Sequence, residues 1–202
     1  MIYYLMNDYD KLIEAMAEHM QIVLTAMIYS LAVAAVFTVL CSFSRIFSKA
    51  LLHVLSVIYS IPSLAMLALF VPLTGLGKTT TTVVLVIYNQ YLMLRNFVSG
   101  LENVDLNVVE AAVGLGMTSM QVLTRVRLPL AKKSLIAGIR ISLVSTIGIA
   151  TIAASVNAGG LGVLFFDGLR TMNVDKILWG SILSVILALL FDGILHTRGY
   201  KR

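Results

Sequence analysis

The stretch MQIVLTAMIYSLAVAAVFTVLCSFS, Met20 to Ser44, contains no Asp, Glu, Lys or Arg. A helix needs about 20 predominantly apolar residues to cross a hydrocarbon layer about 30 Å thick, so this run is long enough to span a bilayer with some tilt. Ala50 to Gly77 is charge-free as well. The rest of the 202-residue chain keeps the same character: 59% of it is hydrophobic, 12% is charged, and the mean hydropathy is +0.94. Soluble domains carry about 25% charged residues, and a water-facing fold has no place for so much apolar side chain. The composition predicts an all-α polytopic membrane protein.

The net charge of +5 does not describe a nucleic-acid surface, because the cations lie between apolar runs and are not interleaved with aromatics. Cys41 is the one cysteine, which excludes an intrachain disulfide and a thiolate metal site. His19, His53 and His196 lack a second ligand at metal spacing, so no metal is expected. Met1 to His19 carries Asp8, Asp10, Glu14 and Glu18 against Lys11, unlike the basic start of a signal peptide, and the first apolar run is expected to be retained.

Three more spans follow the two charge-free runs. Five transmembrane helices are expected, at about 20–44, 50–73, 79–98, 134–156 and 177–195, in a single domain covering 1–202. Orientation follows from the excess of Lys and Arg in short cytoplasmic loops. With the N-terminus outside, the inner segments hold Arg45, Lys49, Arg125, Arg127, Lys132, Lys133, Arg198, Lys201 and Arg202, and the outer ones only Lys11, Lys78, Arg170 and Lys176. The chain is therefore expected in a cell membrane with its N-terminus outside, its C-terminus in the cytoplasm and the segment 100–133 in the cytoplasm.

That segment contains Glu110-Ala-Ala-Val-Gly-Leu-Gly116, then nine residues, then Val126-Arg-Leu128-Pro129. Asn107 to Leu115 suits a short helix with Glu110 in its early turns, where a carboxylate is favoured by the helix dipole. Ala111 and Ala112 keep one face thin, and Gly116 can stop the helix in a left-handed conformation. A second stretch, Ser119 to Val126, follows, and Leu128-Pro129 is expected to interrupt it. The result is a rigid knob at the membrane surface, suited to a groove on a partner or, more simply, to anchoring the loop in the interface.

The spacing resembles the EAA motif of ABC importer permeases, with Val126 where Ile is usual. The likeness extends from about Ser60 to Phe191. Ser60-Ile-Pro62, Pro72-Leu-Thr-Gly75-Leu-Gly77, Leu94-Arg95-Asn96, Ala137-Gly138-Ile139-Arg140 and Ala158-Gly159-Gly160-Leu161-Gly162 are similar to the osmoprotectant permeases of the glycine betaine/carnitine/choline uptake systems. Leu92 stands where that family often has Pro. The resemblance implies a type I ABC importer permease (MetI-like) fold with a cytoplasmic coupling helix between helices 3 and 4. It further implies two permease subunits, identical or paralogous, two cytoplasmic ATPase subunits and an extracytoplasmic solute-binding protein. Glu110, Ala111, Ala112, Gly116, Val126, Leu128 and Pro129 would then couple to the ATPase, which uses ATP and Mg while this chain binds no cofactor and does no catalysis. Methionine-type permeases are the nearest alternative, and a stand-alone secondary transporter is a further one.

Gly75-Leu-Gly77-Lys78-Thr79 ends like a phosphate-binding loop, but the required first Gly falls at Pro72 and the segment lies outside. In the third span, Tyr88-Asn89-Gln90-Tyr91 is polar for lipid, where such groups face a bundle interior or a cavity. Two readings stand: interhelical hydrogen bonds, or a translocation path in which Tyr88 and Tyr91 attract a quaternary ammonium by cation–π contact. Small residues recur at Gly138, Ser142, Thr146, Ala150, Ala154 and Ala158, either for helix packing or for a path. Arg95 and Arg140 sit within reach of the inner interface, where such side chains snorkel, and Asp192 is a candidate partner for either.

Overall fold

The structure, a computed structural model, describes residues 8–200, with side chains as far as Leu195. The charges of Arg198, Lys201 and Arg202, and the imidazole of His196, fall outside the described side chains. Helix α1, Tyr9–Phe43, has 35 residues and begins eleven positions before the charge-free run. At 1.5 Å per residue it is about 50 Å long, so Glu14, Glu18 and His19 ride on the helix instead of preceding it. His19 is wholly buried. Ser44 ends α1 in an extended conformation, and its hydroxyl accepts from the Phe47 N–H to cap α2, Arg45–Ser60.

The expected second span is not one helix. α2 and α3, Ser63–Thr74, are bent by 97° at Ile61-Pro62. Proline disfavours the helical region for the residue before it, and Ile61 takes φ −67°, ψ 131°. Counting apolar residues alone hid this corner.

α4, Lys78–Glu102, lies at the centre of the bundle, packed between α1 and α8, Lys132–Ile152. α8 continues through a 3₁₀ turn, Ala153–Val156, to Asn157 in the left-handed region at φ 63°. Its small residues Gly138, Ser142, Thr146 and Ala150 are buried. A Cβ on Gly138 would lie 2.9 Å from the Asn96 Cβ and 3.0 Å from the Phe97 ring. At least these four positions of the stripe therefore serve helix packing within the chain.

The segment after Asn157 forms α9, Leu161–Arg170, ahead of α10, Val174–Tyr200. α9 folds back on α10 and α1. Gly162 permits this: a Cβ there would sit 1.9 Å from the Thr151 carbonyl oxygen. α8 and α10 are joined by Arg140, which donates from Nε and Nη2 to the two Asp192 oxygens at 2.9 and 2.7 Å.

Among the described residues, three helical segments are long and apolar enough to cross a membrane: α1, Lys132–Val156 and Val174–Leu195. The bent α2–α3 pair is a fourth when taken together. α4 has the length, but Thr79–Thr82, Asn89, Gln90, Arg95 and Asn96 lower its hydropathy. The molecule is a multi-pass membrane protein with an apolar exterior and one polar helix enclosed inside it.

Candidate functional site

Two places carry the residues singled out by sequence. The first is the link between α4 and α8, which projects from one end of the bundle. It comprises α5, Leu106–Gly114, α6, Ser119–Val122, a π-turn, Leu123–Arg127, and α7, Leu128–Leu130. Asp105 caps α5 by accepting from the Asn107 N–H at 2.9 Å. Gly116, at φ 82°, ends it. The Gly116 N–H bonds to the Val113 carbonyl at 2.9 Å and the Met117 N–H to the Ala112 carbonyl at 3.2 Å, the paired 5→2 and 6→1 pattern of a Schellman stop. The left-handed role expected of Gly116 is therefore present.

α6 opens on a capping box. The Gln121 N–H donates to the Thr118 hydroxyl at 3.3 Å, and the Thr118 N–H to the Gln121 side-chain oxygen at 2.8 Å. Thr118-x-x-Gln121 is a readable signal for a helix start that the sequence reading passed over. Pro129 does not interrupt the helix as expected. The π-turn, closed by the Leu128 N–H on the Leu123 carbonyl, precedes it and leaves Pro129 in the opening turn of α7. A missing N–H costs nothing in a first turn.

Within this link Ala112, Val122 and Leu123 are buried, while Glu110, Ala111, Gly114, Gly116 and Pro129 are exposed. Leu106, Val108, Val113, Leu115 and Met120 are exposed too, Leu115 to 82%. Val126 and Leu128 are half-buried. The seven motif positions thus divide: Ala112 holds the knob to itself, and Glu110, Ala111 and Gly116 are turned outward. A Cβ on Gly114 would meet nothing within 4 Å, so nothing in the chain's own packing demands a small residue there, whereas at Gly116 the φ of 82° demands glycine.

The second place is the middle of α4. Tyr88, Asn89, Gln90 and Tyr91 do not share one face. Asn89, almost fully buried, donates from Nδ2 to the Ser30 hydroxyl of α1 at 3.1 Å and to the Thr146 hydroxyl of α8 at 2.9 Å. Gln90 donates to the Ser30 carbonyl at 3.3 Å and the Val86 carbonyl at 3.0 Å. These two amides form the interhelical bonds that a polar group in an apolar bundle requires.

The tyrosines point elsewhere. The Tyr88 hydroxyl donates to the carbonyl of Ile61, at the corner between α2 and α3. Its ring meets Tyr59 edge-on at 5.5 Å between centroids, and Tyr59 lies 5.0 Å from Tyr91. Tyr59 was not among the sequence candidates; its position three residues before Pro62 is the signal that places it at the corner. One turn further on, Arg95 donates from Nη1 to the Tyr91 hydroxyl at 3.2 Å, with its guanidinium carbon 5.9 Å from the Tyr91 centroid. Asp192, considered as a partner for either arginine, pairs with Arg140.

The opposite end of the bundle is closed by Glu18, which accepts from the Gly160 N–H at 3.1 Å and from Lys78 Nζ at 3.3 Å. The Gly77 N–H bonds to the Val156 carbonyl at 2.8 Å. The Gly75-Leu-Gly77-Lys78 segment is therefore a connection to α4 built on contacts with α1 and the end of α8. On α9, Asp167 receives Lys176 at 2.5 Å and Arg170 at 3.0 Å. Those hydrogen bonds, from Lys176 first and then Arg170, hold its carboxyl below the usual range.

Residues 30–196 match the family described as binding-protein-dependent transport system inner membrane component. Over 195 residues the chain is 36% identical to the carnitine transport permease protein OpuCB of Listeria monocytogenes, covering 96% of this chain and 89% of that one. It is 34% identical over 195 residues to the glycine betaine/carnitine/choline transport system permease protein OpuCB of Bacillus subtilis, covering 96% and 90%. Among solved structures, the MetNI methionine ABC transporter in inward-facing conformations superimposes with a TM-score of 0.80 over 90% of this chain and 91% of that one, at 21% identity. That likeness concerns the fold.

Proposed function

Because the chain belongs to the family of binding-protein-dependent transport system inner membrane components, we propose that it is the permease subunit of an ATP-driven importer for quaternary ammonium osmoprotectants. The observation that carries the coupling half of this reading is the projecting knob of α5 and α6. It is fixed by a capped start, a glycine stop and a capping box, yet it exposes Val113, Leu115 and Met120 and leaves open space at Gly114. A rigid apolar surface of this kind suits a groove on a separate ATPase subunit.

In this reading the N-terminus and the Glu18–Gly160 end lie outside, and the 100–133 link lies in the cytoplasm, as the loop charges favour. The five crossings are α1, the bent α2–α3 pair, α4, α8 and α10. ATP and Mg act in the ATPase; this chain transmits the movement through Glu110, Ala111, Ala112, Gly116, Val126, Leu128 and Pro129. A second permease, identical or paralogous, completes the path, and an extracytoplasmic binding protein delivers the solute. Tyr91 and Tyr59, both half-buried, supply aromatic faces to a trimethylammonium group, and the buried Tyr88 ring backs Tyr59.

The test is copurification of a tagged chain in mild detergent, followed by uptake of radiolabelled glycine betaine, carnitine and choline by the reconstituted complex. A stoichiometric ATPase subunit and ATP-dependent uptake are the expected results. Isolation of the chain without an ATPase, or uptake driven by an ion gradient alone, would overturn the proposal.

A further inference from the structure

Arg95 lies on the central helix α4, and among the described residues no carboxylate pairs with its charge. Arg140 is held by both oxygens of Asp192, whereas among the described residues Arg95 makes no ion pair, and its contacts are the hydroxyl and ring of Tyr91. It lies seven residues before Glu102, the end of α4, which is about 10 Å along the axis. An arginine this near a helix end can reach the interface with its long side chain, yet the guanidinium of Arg95 is turned back along α4 onto Tyr91.

Its neighbours make the ligand specific. Tyr88, Tyr91 and Arg95 succeed one another at three- and four-residue spacing on one face of α4, and Tyr59 packs against both tyrosines. Tyr59 and Tyr91 are half-buried and Arg95 is exposed, so two aromatic rings and a guanidinium are accessible together. Aromatic faces attract the diffuse charge of a quaternary ammonium. A planar guanidinium fork matches a carboxylate. Glycine betaine and carnitine carry both groups on one short carbon chain; choline carries only the first.

From this juxtaposition, and resting on the osmoprotectant reading above, we propose that Tyr59, Tyr91 and Arg95 form a zwitterion site in the translocation path, with Arg95 selecting substrates that bear a carboxylate. The guanidinium carbon lies 5.9 Å from the Tyr91 centroid, the seat that an ammonium would take. A betaine draws it aside onto its own carboxylate. Choline has nothing to draw it with and meets a like charge at the ring.

The experiment uses proteoliposomes holding the complete complex, with the binding protein saturated in turn by radiolabelled glycine betaine and choline. Arg95→Gln should lower the initial rate for glycine betaine about tenfold, the loss of one charge-assisted contact, while choline uptake stays within about twofold or rises. Arg95→Lys, which keeps the charge and loses the fork, should recover part of the difference. Tyr91→Leu and Tyr59→Leu should slow both substrates. Equal losses for the two substrates in Arg95→Gln, whether or not the melting temperature falls, would show that Arg95 does not select for the carboxylate and overturn the proposal; so would no loss for either. Normal uptake by both tyrosine variants would remove the aromatic seat, and a wild-type complex that moves neither substrate would remove the osmoprotectant reading itself.

Discussion

The Gly160 N–H donates to the Glu18 carboxylate at 3.1 Å, joining the loop after α8 to the first helix across 142 positions of sequence. Gly160 occupies φ 77°, ψ −168°, a region open essentially to glycine alone, and a Cβ there would lie 3.0 to 3.2 Å from His19. Gly160→Ala should therefore lower stability by about 1–3 kcal/mol. Glu18→Gln keeps an acceptor for Gly160 and loses only the half-exposed Lys78 pair, a change of about 0–1 kcal/mol. Thermal unfolding of the purified chain in detergent checks the order of the two.

Gly114 and Gly116 separate folding from docking. Gly114 is helical with open space around it, so Gly114→Leu should hold or raise stability by up to about 1 kcal/mol through helix propensity. The same side chain on the knob's exposed surface should reduce ATPase copurification and uptake by about tenfold or more, the effect of disrupting a single contact in a docked interface. Gly116→Asp, at φ 82°, should abolish uptake while the spans remain inserted. A Gly114→Leu chain that still recovers its ATPase in full would exclude the knob as the docking element.

Asn89 stands between α1 and α8, giving both amide hydrogens to hydroxyls and accepting from Thr146 at 3.0 Å. Asn89→Leu and Thr146→Val should each destabilise by about 0.6–2 kcal/mol, the range for hydrogen bonds between membrane helices. The double variant should lose less than the two losses combined, because the two residues share a bond. Denaturation in mixed micelles measures all three.

Asp167 predicts a pH dependence at the α9–α10 corner. Its folded-state pKa is depressed by Lys176 and then Arg170. A depressed carboxylate contributes stability above its unfolded value, about 3.9, and loses it as pH falls through the folded value. Wild type and Asp167→Asn should thus differ in melting temperature near neutral pH and converge below about pH 4. A difference that persists undiminished into acid would show that the carboxylate acts by shape and not by charge.

Much of the fold could be read from residues whose physics is local. The charge-free run of Met20–Ser44 announced α1, and the Gly116 spacing announced a helix stop that the backbone shows bond by bond. The misses have a common origin. Pro62 was visible, but a hydropathy count cannot register a corner. The polar signature of Tyr88–Tyr91 was noticed, but only the helical turn reveals that Asn89 faces Thr146 while Tyr91 faces Tyr59. The choice of Asp192 by Arg140 over Arg95 depends on how α8 and α10 cross, which neither segment encodes alone. α9 was missed because its apolar stretch is only ten residues long and Gly162 disguises how closely it packs.

The corner at Ile61-Pro62 ties α2 and α3 to the middle of α4. Its free carbonyl is fastened by a phenol from a different helix, Tyr88, whose ring also leans on Tyr59. Opening or closing the 97° angle must either tear that fastening or turn the ring. The angle of the elbow and the packing of the Tyr88 and Tyr59 rings are thus a single mechanical variable, so that a shift in α2 or α3 is carried to the middle of α4 and back.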